Sequence, residues 1–107
     1  MKVEYIKHNG QHIILNSTIL KICGFNGSDQ GGWIWSYYPN EKDIYILKLR
    51  KLAIGYKFEI IIATNLNPIV SMDVCSLSHL QDVVRQHCNA ELPINELALA
   101  KYIESLR

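Results

Sequence analysis

The sequence predicts an α+β fold: an antiparallel β-sheet with a meander core and two C-terminal helices packed on one face. Three observations predict it. Alternation of apolar and polar residues dominates the chain up to residue 74. An apolar period of 3.6 residues takes over after Ser76. Strands first and helices last is the order of an antiparallel sheet covered on one side. The 107 residues suffice for one hydrophobic core and not for two. The reading is therefore a single domain, residues 1–107, with mainly strands over 1–74 and mainly helices over 76–107.

Residues 3–8 and 12–15 flank Asn9-Gly10, and Asn-Gly between apolar runs is a strong hairpin signal. Residues 17–23 fit a strand or a short helix, and the strand is preferred. Four glycines among residues 24–32 carry too much backbone entropy for an element interior, so this stretch reads as a long surface loop. Residues 33–38 form an aromatic strand that ends at the polar turn Pro39-Asn40-Glu41-Lys42. Residues 43–52 and 56–64 are the clearest strands, with Tyr56, Phe58, Ile60 and Ile62 on one face and Lys57 and Glu59 on the other. Asn65-Leu66-Asn67-Pro68 ends the second of these, and residues 69–74 add another strand.

A helix begins near Ser76, where Ser78 with Gln81 fits a capping box and Ser76 competes as the cap. Its apolar stripe is Leu77, Leu80, Val84 and Cys88, with Val83 and His87 beside it, and Asn89 is a left-handed stop. Pro93 or Asn95 opens a second helix that buries Leu99, Tyr102, Ile103 and Leu106. The Phe58 face of the sheet should meet both helices.

Composition excludes several classes. With 49% apolar and 20% charged residues the chain is not disordered. Apolar runs such as Ile60-Ile61-Ile62-Ala63 are too short to span a bilayer, so no membrane is expected. The first seven residues alternate and lack the apolar stretch of a secretory leader. Cys23, Cys75 and Cys88 form an odd, widely spaced set, which suits reduced thiols and a cytoplasmic location. The net charge is +1, with neither a charged tail nor a nucleic-acid stripe.

The motifs for chemistry are thin. A two-residue Asn9-Gly10 turn pairs His8 with Gln11 and Lys7 with His12, so the two imidazoles diverge. His79 and His87 lie about 12 Å apart along one helix. No Cys-x-x-Cys or His-Glu-x-x-His is present, and neither a metal nor another cofactor is expected. The glycine-rich stretch leads into a strand and lacks the Lys-Ser or Lys-Thr of a phosphate loop. Cys75 ahead of a helix, with His79 one turn on and Asp82 beyond, is the one arrangement that suits a cysteine-dependent enzyme or ligand-binding domain. A small buried thiol reads equally well there. A regulatory or nucleic-acid adaptor subunit is a third class, although a base-stacking platform needs a more basic surround.

Trp33, Trp35 and Tyr37 alternate onto one face of their strand, with Ile34, Ser36 and Tyr38 on the other. Rigid aromatics beside a glycine-rich loop suit a protein-binding hot spot as well as a core. A compact α+β chain of this size, rich in Ile, Asn and Lys, with a meander core and two closing helices, resembles the small immunity proteins of contact-dependent growth inhibition systems. That resemblance implies a non-enzymatic bacterial protein that neutralises one cognate toxin domain, often a nuclease, by blocking its active site or substrate path. Such inhibitors of nucleases are often acidic, whereas this chain is +1. Contact would then rest on shape, aromatic anchors and local charges. The partner-binding residues expected on this reading are Asp29, Trp33, Trp35, Tyr37, Glu41 and Asp43.

Overall fold

The structure, a computed structural model, describes residues 7–8, 11–63 and 65–105. Its elements are β1 (Lys7–His8), β2 (Gln11–His12), α1 (Ser17–Ile22), β3 (Asn26–Ser28), β4 (Gly32–Tyr37), β5 (Tyr45–Lys51), β6 (Tyr56–Ile62), β7 (Asn65–Val74), α2 (Leu77–Cys88) and α3 (Glu96–Ser105). Strands β3 to β7 form one antiparallel sheet in chain order, so the meander extends over five strands, and β1 pairs with β2 separately. No helix among the described residues is long and apolar enough to cross a membrane.

Register sorts the side chains onto two faces, because residues directly opposite in an antiparallel pair share a face. Leu49 lies between Trp33 and Phe58, and Leu47 lies between Trp35 and Ile60. Met72 and Val70 continue these rows on β7. This inner face joins Ile19 and Leu20 of α1, Leu77, Leu80 and Val84 of α2, and Leu99 of α3 in a single core. Tyr56, Phe58 and Ile60 are fully buried there. The outer face carries Ile34, Lys48 and Glu59 in one row and Arg50, Lys57 and Asp73 in another.

Two expected elements are corrected. Residues 17–22 are helical, because the Asn16 side chain caps them by accepting from the Ile19 amide at 2.9 Å. The short helix buries Ile19 and Leu20, and that packing outweighs the preference of the Ile-rich segment for a strand. The glycine-rich stretch holds an edge strand where a loop was expected: Asn26, Gly27 and Ser28 pair with Ile34, Trp33 and Gly32. Gly27 makes this approach possible, since its φ is +138° and an added Cβ would sit 2.0 Å from the Gly32 carbonyl oxygen.

Strand boundaries moved as well. β7 begins at Asn65 and runs through Pro68, with register irregularities on either side of Ile61. Proline is tolerated there because β7 is the last strand of the sheet. The expected hairpin register, Lys7 opposite His12 and His8 opposite Gln11, is present. Its expected extension over residues 3–6 lies outside the described residues. Residues 13–15 leave the hairpin to pair with 75–77, through Leu15 N–H to Cys75 O at 2.9 Å and Leu77 N–H to Ile13 O at 2.8 Å.

The helices follow their local signals. Ser76, not Ser78, caps α2, accepting from the His79 amide at 3.2 Å, and Asn89 closes it in the left-handed region. Asn95 accepts from the Ala98 amide at 3.0 Å at the start of α3. Buried Gln81 accepts the Leu92 N–H at 3.1 Å and so ties α2 to the segment leading into α3. Asn16 donates from Nδ2 to the Tyr102 hydroxyl at 2.9 Å, linking α1 to α3. Leu99 is buried and Tyr102 and Ile103 are half-buried, whereas Leu106 falls outside the described residues.

Candidate functional site

The six residues expected to meet a partner divide into three groups. Asp29 and Trp33 form a clamp at one end of the sheet. One Asp29 carboxylate oxygen accepts the Trp33 indole N–H at 2.9 Å and the Tyr56 hydroxyl at 2.8 Å. The clamp closes the β3–β4 turn, where Ser28 Oγ also accepts the Gly31 amide at 2.9 Å. Trp33 is only 1% exposed and fills the core. It lies on the inner face of β4, the face the helices cover. The two donors, Trp33 first, hold the Asp29 carboxyl below the usual carboxylate range, assisted by the Lys51 charge and opposed by burial. Burial, then Asp29, pushes the Tyr56 phenol up. Lys51 Nζ sits 5.3 Å from the centre of the Tyr56 ring.

Trp35 and Tyr37 lie further along the same face, where cover thins. Both are half-buried. Phe25, Trp35, Tyr37 and Tyr45 form a continuous aromatic row, with ring centres 6.3, 5.8 and 6.3 Å apart and Trp35 stacked on Tyr37. Tyr38, the residue after β4 and not among the expected contacts, is 64% exposed. Its position directly after the alternating aromatics was the available signal.

Glu41 and Asp43 occupy the β4–β5 connection that continues from this row. Asn40 gives the connection its shape, accepting the Lys42 and Asp43 amides at 2.8 and 2.9 Å and donating from Nδ2 to Asp43 at 3.1 Å. Glu41 is exposed and Asp43 is half-buried. The structure therefore brings Trp35, Tyr37, Tyr38, Glu41 and Asp43 to one end of the sheet and leaves Asp29 and Trp33 at the other.

Cys75 is exposed one residue before the α2 cap, and His79 is exposed on the first turn of that helix. Burial pushes the Cys23 thiol up to about 12 and the Cys88 thiol up to about 11. Among the described residues no three His, Cys, Asp or Glu side chains come together as a metal site. The outer face of the sheet carries a shallow groove of about 290 Å³ flanked by Lys48, Arg50 and Lys57.

These features define a five-stranded antiparallel meander with helices on one face and an aromatic, acidic end. Comparison with protein families, characterised proteins and solved structures returns no match.

Proposed function

We propose that this chain is a binding protein of the immunity type, which neutralises a cognate toxin domain, a nuclease, by covering its active site or substrate path. The observation that carries the reading is the half-buried aromatic row ending at an acidic turn. Trp35 and Tyr37 offer large contact area with few rotors to freeze, and they are already ordered by stacking. Glu41 and Asp43 beside them supply the negative charge that a phosphate-binding catalytic surface attracts. Two carboxylates in one turn, with Lys42 between them, supply local negative charge without a strongly acidic protein. Asp29 and Trp33 hold β4 in position rather than touching the toxin.

The test is co-production in bacterial cells with a toxin domain from the same genome, an adjoining reading frame that encodes one being the first choice. Cells should grow, and the purified pair should form a complex. Tyr37→Ala combined with Glu41→Lys should weaken that complex at least ~30-fold, a loss in the range of a hot-spot residue, while circular dichroism stays unchanged. A complex of undiminished affinity overturns the assigned surface, and absence of both rescue and binding overturns the immunity reading.

A further inference from the structure

We propose that the outer face of the sheet carries a second binding site, a basic groove across β4, β5 and β6 that takes a carboxylate-bearing segment of a protein partner. The groove lies on the face opposite the aromatic row, so it stands apart from the immunity reading. Its floor is strand backbone with Ile34, which is 46% exposed, and its wall at one end is the Gly31-Gly32 turn.

Charge distribution points to the ligand. Lys48, Arg50 and Lys57 line the groove against a single carboxylate, Glu59. Arg50 and Lys57 stand directly opposite each other on β5 and β6. Like charges in that position weaken a sheet, and such a local conflict with stability is expected where a surface serves binding. Lys57 is partly relieved by Asp73 at 3.8 Å. Arg50 and Lys48 have no ion-pair partner among the described residues. A carboxylate between Arg50 and Lys57 removes the repulsion, and the guanidinium fork can hold both of its oxygens.

The groove favours a peptide over a nucleic acid. A phosphodiester chain carries a charge at every step and meets Glu59 and Asp73 among the cations, whereas a peptide places its carboxylate at Arg50 and Lys57 and neutral residues beside Glu59 and Asp73. The outward residues beside the cations include Ile34, Ser36, Ile46 and Ile61, aliphatic and small surface on which bases do not stack, and the exposed ring of Tyr38 lies past the end of β4 away from Arg50 and Lys57. Those isoleucines instead continue the basic end as an apolar strip. The occupant that fits is an extended segment with Asp or Glu at one end and aliphatic side chains at the other.

The probe is a fluorescein-labelled eight-residue peptide with two Glu at one end followed by alternating Val and Thr, titrated into the whole protein at low salt. Saturable binding is expected, with amide NMR shifts centred on Ile34, Lys48, Arg50 and Lys57. Arg50→Glu should weaken binding at least 10-fold while raising the melting temperature, because the new carboxylate pairs with Lys57. Lys48→Glu is the second variant and should also weaken binding. The proposal is overturned if the peptide fails to saturate, if neither charge reversal weakens it, or if a twelve-nucleotide oligothymidine binds the same residues more tightly.

Discussion

Trp33 donates its indole N–H to Asp29 four residues earlier, at 2.9 Å, and the same carboxylate oxygen accepts the hydroxyl of Tyr56 from two strands away. A local turn and a long-range strand contact thus share one acceptor. This explains how a glycine-rich stretch becomes an ordered β3–β4 hairpin at the sheet edge.

The clamp should be worth measurable stability. Asp29→Ala leaves two donors on nearly fully buried side chains without their acceptor, at a cost of about 1–3 kcal/mol. Tyr56→Phe removes one donor and should cost about 0.5–1.5 kcal/mol. Urea titration reads both as a lower midpoint at unchanged slope. An Asp29→Ala protein as stable as the parent contradicts the clamp.

The clamp also sets a pH window. The Asp29 carboxyl is depressed in the fold, so its stabilisation is present above the unfolded value, about 4, and is lost as pH falls through the folded one. The Tyr56 phenol is raised, so its stabilisation is present below about 10 and is lost as pH climbs beyond that through the folded value. The stability difference between parent and Asp29→Ala should be flat from pH 5 to 9 and shrink on either side. Urea midpoints measured for both proteins across pH 3 to 11 check it.

Gln81 is buried at 1% exposure in an otherwise apolar helix face. Gln81→Leu keeps the volume but leaves the Leu92 amide without its acceptor, costing about 1–3 kcal/mol. Hydrogen exchange should show the Leu92 amide losing protection in the variant. Unchanged protection would remove Gln81 as the link between α2 and the segment before α3.

The three thiols should separate kinetically. Cys75 is exposed, whereas Cys23 and Cys88 are buried with their thiols pushed up to about 12 and about 11. Iodoacetamide at neutral pH should modify one cysteine in the native protein and all three in urea. Mass spectrometry assigns the site. A Cys75 rate far above that of free cysteine would favour the cysteine-enzyme alternative.

The α+β class, the presence of β5, the alternating faces of β6 and the stop of α2 at Asn89 were legible in the sequence, because each is encoded by periodicity or by a residue with a local backbone preference. Alternation places Lys57 and Glu59 on the face opposite Phe58, which is the face of the groove. Arg50 joined them only through the β5–β6 register, which depends on pairing between strands. The helical state of residues 17–22 came from burial of Ile19 and Leu20, a tertiary gain that local propensity does not contain. Trp33 and Trp35 show the same division most clearly. Alternation places them on one face, yet it does not say how far the helices reach along the strand. Trp33 meets the core and Asp29, while Trp35 lies toward the end where cover thins and stays half-buried. Sequence by itself determined the faces; tertiary packing decided which part of each face water still reaches, because cover depends on elements distant in the chain.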